Sequence, residues 1–251
     1  MKLNLKAIAF VLAVAAAGSC TKIDNYEAPT ETLRGNIIDA GTGKPVQSEV
    51  SGDNGAGTRI KLLELSWSET PTPLYLACKQ DGTYNNTKVF AGKYKVSAEG
   101  AFVPLVQGTT VDGSKTLEIR GGTTTLDFSV EPFLRVEWVG EPVLNSNGTI
   151  SANVKVTRGT ANPAFQQNIT DLYLYVNSTP YVGNNNFDNR YSQRLAYSGT
   201  AGNAIVGQTV TLTTIGGVLP KSRDYYVRVG SRIDYGLKQF NYNEPKVVTV
   251  P

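Results

Sequence analysis

The chain has 251 residues, with 24 Lys+Arg against 21 Asp+Glu, two cysteines and no histidine. Without an imidazole there is no Ser-His-Asp or Cys-His catalysis and no histidine-based zinc site, and two cysteines are too few for a cysteine-rich metal or cluster site. The near-balance of charge is not the electrostatic footprint of a nucleic-acid binder.

Residues 1–19, MKLNLKAIAFVLAVAAAGS, join Lys2 and Lys6 to an apolar run from Ile8 to Ala17. That run is too short for the ~20 residues a membrane-spanning helix needs, and it fits a secretory signal peptide. Its end, Ala17-Gly18-Ser19-Cys20, resembles a bacterial lipobox, which implies lipidation of Cys20. The competing use of Cys20 is a disulfide to Cys78. Cys78, however, shares the inward side of TPLYLACKQ with Leu74 and Leu76 and reads as an inert buried thiol. Loss of Lys2 and Lys6 lowers the basic count from 24 to 22 against 21 acids, a net charge of about +1. No later apolar run reaches spanning length, so the lipid is the expected outer-membrane anchor.

Residues 20–32 are polar and aperiodic and read as a tether. From Leu33 onward the pattern has period two. Leu33 and Ile37 oppose Arg34 and Asn36; Tyr94, Val96 and Ala98 oppose Lys93, Lys95 and Ser97; Leu126, Phe128 and Val130 oppose Thr125, Asp127 and Ser129. Ile150, Ala152, Val154 and Val156 alternate most cleanly with polar neighbours. Such alternation marks half-buried antiparallel strands, and Gly/Asn/Asp-rich turns separate them. The expected strands are 33–39, 59–66, 73–79, 84–90, 93–98, 116–120 and 124–130, then FLRVEWVG, 149–157, 171–177, 191–198, 208–215, 225–233 and 246–250. The reading is therefore all-β, with two consecutive antiparallel β-sandwich domains, 33–131 and 132–251.

No phosphate-binding loop, dinucleotide fingerprint or nucleophile elbow occurs. A glycosidase needs two carboxylates across a cleft. Here acids stand singly beside turns, as at Asp39, Asp53, Asp81 and Asp112, and read as turn formers. The oxygen-rich loops 51–57 and 184–190 lack EF-hand spacing and enough carboxylates, so they read as loops rather than calcium sites. The expectation is a non-catalytic protein with no cofactor and no metal.

Sugar recognition asks for exposed aromatics beside amides and acids. Tyr173 and Tyr175 oppose Leu172, Leu174 and Val176 and are expected outward, as is Tyr226 beside Arg228 and Arg232. The loop STPYVGNNNFDNRY carries Tyr181, Phe187 and Tyr191 among asparagines, a mixture that suits a carbohydrate, a protein partner or local packing. Trp67 closes a strand and is expected at a loop tip; Trp138 shares a face with Leu134 and Val136 and is assigned to the core.

CTKIDNYEAPTETLRGNIIDAGTGKPV resembles the start of two-domain surface lipoproteins of the Bacteroidetes, in which a carboxypeptidase-regulatory-like (transthyretin-like) sandwich opens with T-L-x-G-x-I-x-D-x-x-T-G-x-P-V. QDGTYNNTKVFAGKYKV is similar to that domain's central hairpin, and YYVRVGSRIDYGLKQFNYNEPKVVTV to the end of the fibronectin-III-like second domain. The resemblance implies an accessory role beside a SusC/SusD-type nutrient importer, with a polysaccharide or oligosaccharide as the expected ligand. Asp24 and Glu27 after Cys20 resemble the surface-export signals of such lipoproteins, so a cell-surface position is expected. The alternative is a fimbrial or adhesin subunit, since transthyretin-like sandwiches also build pilins.

Overall fold

The computed structural model describes residues 27–50 and 55–251. The signal segment, Cys20, most of the tether and Asp53 with most of the 51–57 loop lie outside the described residues. The described chain is almost entirely β, with two short 3₁₀ turns at Pro163–Phe165 and Ala201–Ile205. No helix among the described residues is long and apolar enough to cross a membrane.

The N-terminal domain contains β1 (Glu31–Asp39), β2 (Arg59–Glu64), β3 (Leu74–Ala77), β4 (Thr83–Val89), β5 (Gly92–Glu99), β6 (Val106–Gln107), β7 (Val111–Asp112), β8 (Lys115–Ile119), β9 (Thr123–Thr125) and β10 (Phe128–Val130). One sheet centres on β1, with β4 on one side and β9 and β10 on the other; the second has the order β3-β2-β5-β8. Leu33 and Ile37 of β1 face Ile60, Leu62, Val96 and Ile119 in one buried cluster. Fully burying each such side chain stabilises the fold by ~1.5–3 kcal/mol. Cys78 joins this cluster, and burial pushes its thiol up to about 12, so it is inert at neutral pH.

The single strand expected over 124–130 is split, and both halves pair parallel to β1 within otherwise antiparallel sheets. Between them the Asp127 carboxylate accepts the Asn36 backbone N–H at 2.7 Å in place of a ladder bond. Gly35 lies under this crossing: a Cβ there would collide with the Leu126 carbonyl.

The C-terminal domain contains β11 (Leu134–Trp138), β12 (Val143–Leu144), β13 (Ile150–Arg158), β14 (Ile169–Asn177), β15 (Gln193–Ala196), β16 (Thr209–Thr213), β17 (Arg223–Ile233), β18 (Asn241–Tyr242) and β19 (Lys246–Val250). One sheet joins β11, β12 and β16 to β13; the other has the order β15-β14-β17-β18, with β19 also on β17. Val136, Ile150, Val154 and Val156 pack against Leu172, Leu174, Val227 and Val229 in the second core. The chain crosses between the cores at residues 131–133, and there the Ala101 carbonyl accepts from Phe133 N–H at 3.1 Å and Asn241 Nδ2 at 2.7 Å.

The solitary acids act as turn formers where they are described. Asp81 Oδ1 accepts Thr83 N–H at 2.9 Å, Asp112 Oδ1 accepts Ser114 N–H at 3.1 Å and Asp39 Oδ1 accepts Gly41 N–H at 2.8 Å.

Candidate functional site

In β14 the inward set Leu172, Leu174 and Val176 fills the sandwich, which leaves Asp171, Tyr173, Tyr175 and Asn177 on the other face. Cross-strand register sets Asp171 against Arg232, Tyr175 against Arg228 and Asn177 against Tyr226. The sequence-expected aromatics do converge here. Phe187 lies 5.4 Å from both Tyr173 and Tyr175, ring centre to ring centre, and those two tyrosines are 4.2 Å apart. Tyr226 packs at the border of the same cluster, which also contains Val182, Phe240 and Tyr242.

Two of the candidate binding aromatics are corrected by this arrangement. Tyr175 is 0 % exposed, because Phe187, Tyr242 of β18 and the preceding Phe240 cover its face of the sheet. Tyr191 is turned into the sandwich core, with its ring 6.4 Å from Tyr225. The loop that brings these changes is tied to its strand: Asp188 N–H donates to Val176 O at 2.7 Å and Val176 N–H to Ser192 Oγ at 2.9 Å. Tyr173, Phe187 and Tyr226 stay half-buried, and Tyr181 is exposed at the loop. Trp67 is exposed in the other domain and takes no part in this cluster.

At its partly exposed end the face carries charge. Asp171 accepts from Arg194 Nε at 2.5 Å and Arg232 Nε at 2.6 Å. Burial raises the Asp171 pKa, but these two guanidinium groups and the Thr170 hydroxyl outweigh it and hold the carboxyl below its usual range.

At its buried end the face becomes the junction between domains. Arg228 is fully buried, and its guanidinium donates to Asn243 O at 2.8 Å, Val182 O at 3.2 Å and Gln80 O at 3.4 Å. It stacks over the Tyr242 ring at 4.2 Å. Burial pushes Arg228 down to about 10, with Tyr242 and Glu49 opposing the shift, so it remains a cation at neutral pH. Glu49, buried in the N-terminal domain, accepts from the Tyr242 hydroxyl and from Asn184 N–H at 3.0 Å. Gln80 adds bonds to Pro180 O and Val182 N–H, both at 3.1 Å.

Beside this seam lies an open groove of about 460 Å³ between the domains, a size suited to a small ligand. The β1 turn supplies Lys44 and Gln47, β11 supplies Arg135 and Trp138, and the segment after β18 supplies Asn243 and Glu244. Arg135 clamps Asp39 with two bonds of 2.6 and 2.7 Å across the domain boundary. Trp138 packs on the core as expected, but its indole is half-buried and donates to Glu244 O at 2.8 Å, so it forms part of the groove wall. Asn243 carries the sharpest signal. Its Oδ1 accepts Val229 N–H at 2.8 Å, while Nδ2 is buried with no hydrogen-bond partner among the described residues. An orphaned buried donor costs ~1–3 kcal/mol.

The groove offers amides, charges of both signs and the rings of Trp138 and Tyr242, groups that can hold a polar ligand. Among the described residues no group of three or more Cys, Asp or Glu is placed to hold a metal ion. Sequence periodicity marks Arg135 only as outward on β11 and gives no hint that the first-domain turn meets it there. The legible clue to the groove is Trp138 at a strand end, followed directly by Val139-Gly140.

A family model described as "Protein of unknown function (DUF3823) N-terminal domain" matches residues 31–131, and one described as "Domain of unknown function (DUF3823_C)" matches residues 139–246. The structure is similar to that of a DUF3823 family protein from Bacteroides uniformis ATCC 8492, at 36 % identity and TM-score 0.81, covering 89 % of this chain and 100 % of that one. A second B. uniformis ATCC 8492 protein, described as "a putative carbohydrate binding protein", matches at 24 % identity and TM-score 0.66, covering 88 % and 100 %. A DUF3823 family protein from Parabacteroides merdae ATCC 43184 matches at 19 % identity and TM-score 0.65, covering 89 % and 100 %. No curated protein matches the chain.

Proposed function

We propose, for a chain that belongs to the DUF3823 family, the role of a non-catalytic, lipid-anchored outer-membrane protein that holds a glycan for a SusC/SusD-type importer. The observation that carries ligand binding is the groove between the domains, with Trp138, Gln47 and Asn243 on its wall. Half-buried indole and amide groups suit the mixed apolar and hydroxyl surface of a sugar. The carbohydrate description of the 24 %-identical relative points the same way. The absence of histidine from the chain supports binding over catalysis. Signal peptide, lipobox-like Ala17–Cys20 and the acids Asp24 and Glu27 support surface anchoring, and the Bacteroidetes resemblance supports an importer as neighbour.

The test is calorimetry of the protein against a panel of bacterial, plant and host polysaccharides, with Trp138→Ala as the probe. One glycan should bind, and Trp138→Ala should weaken it by at least about tenfold, the loss expected for an aromatic anchor. A panel without a single binder, or a binder indifferent to Trp138, would refute the groove as a glycan site. Affinity purification from membranes tests the importer separately: recovery of neither barrel nor lid lipoprotein would remove that partner.

A further inference from the structure

The rim of the N-terminal domain where the chain enters has a surface that the groove does not explain. Register places three strand ends there: Glu31 pairs with Val89, Glu64 with Tyr94 and Gly92 with Ile119. Trp67 follows the end of β2, Phe90 follows β4 and Arg120 follows β8. These three, with Glu27, Ala28 and Thr30 of the entering chain, line a single hollow of about 400 Å³. Trp67 is 64 % and Phe90 41 % exposed, and the exposed Lys88 and Lys93 flank them. Two neighbouring exposed aromatics edged by cations match the chemistry of a membrane interface. An indole and a phenyl ring enter the headgroup layer while Lys and Arg meet its phosphates.

We propose that this rim is a membrane-contact surface, seated in the headgroup layer of the bilayer that carries the Cys20 lipid. The proposal rests on the lipidation of Cys20 given above. Residues 20–26 reach ~25 Å at most even when fully extended, so the hollow at Glu27 is confined to the neighbourhood of the bilayer. A surface held there needs little added affinity to seat. The consequence is orientation. The nine residues of β1 run from this rim, at Glu31, to Asp39 on the wall of the interdomain groove. At ~3.3 Å per residue, β1 holds the groove ~26 Å from the rim and so clear of the headgroups.

The mature lipoprotein, in vesicles of phosphatidylethanolamine and phosphatidylglycerol, tests this through its tryptophans. The chain has two, Trp67 and Trp138, so a Trp138→Phe variant leaves Trp67 as sole reporter. Its emission should be blue-shifted on reconstitution and quenched by lipids brominated near the headgroup. The unsubstituted protein should show quenching of a smaller fraction of its emission, which keeps the test open if the variant does not fold. Protein that floats with the vesicles but shows no quenching overturns the contact surface and leaves the anchor standing. Protein that does not float, with no diacylglycerol mass on Cys20, overturns the anchor and this proposal together.

Discussion

Two arginines cross the domain junction by different means. Arg228 is fully buried with no carboxylate within ion-pair distance among the described residues, and three backbone carbonyls and the Tyr242 ring hold it. Arg135 lies on the groove wall and forms a two-bond clamp with the Asp39 carboxylate. The first arrangement is a seal: the buried cation joins Val182 O and Asn243 O of its own domain to Gln80 O of the other, which also accepts Ser48 N–H at 2.9 Å. The second is a strut beside open space, where the ion pair fixes the edge of a groove without filling it. The junction thus joins a rigid seam to an accessible surface, which is the arrangement a binding groove needs.

The largest break in this contrast should come from Arg228→Ala. It leaves the Val182 and Asn243 carbonyls without the guanidinium donor, takes one of two donors from Gln80 O and removes the cation over Tyr242. A loss of ~3 kcal/mol or more is expected, read as a fall in the urea midpoint. Arg228→Lys should restore little, because an ammonium lacks the planar fork that reaches all three. Next in size is a pair of glycine substitutions. A Cβ at Gly183 would strike Glu49 Oε1 and come within 3.4 Å of Val50 inside the seam, whereas one at Gly41 meets only the tip of the Arg135 and Asp39 side chains. Gly183→Ala should cost ~1–3 kcal/mol and Gly41→Ala less than ~1 kcal/mol. Equal costs in thermal melts would erase the distinction between seal and strut.

The smallest effect sharpens the strut itself. Burial alone would raise the Asp39 pKa, but Arg135 and the Gly41 N–H outweigh it and hold the carboxyl below its ordinary value. A folded pKa below the unfolded ~3.9 means that the pair stabilises the protein above that pH. The contribution disappears as pH falls through the lower folded value. Asp39→Asn should therefore remove about 1 kcal/mol at neutral pH. It should also flatten the acid limb of stability against pH, seen as urea midpoints that converge with those of the parent under acid conditions.

Much of the fold was legible in the chain because strand alternation is a local signal. The patterns at 33–39, 93–98 and 150–156 lie in β1, β5 and β13, and Leu33, Val96 and Val154 are buried as their period implies. Very short pairings such as β6 with β7 and β18 with β17 escaped, since two residues carry no periodicity. The aromatic cluster was half legible. Tyr173, Tyr175, Phe187 and Tyr226 were each marked as candidates and do meet, yet alternation cannot tell an outward face in water from one covered by a loop and another domain. Tyr175 and Arg228 both sit on such a covered face.

The amino-acid order by itself determined an all-β chain in two families of strands and the turns made by Asp39, Asp81 and Asp112. These follow from neighbours a few residues apart. Only the tertiary structure decided that Arg228 would be sealed, that Asn243 would keep a buried amide unpartnered, and that Asp39 would meet Arg135 at the mouth of a groove. Those outcomes join residues about a hundred or more positions apart or depend on how two separate cores are set together. Local periodicity carries no information about either.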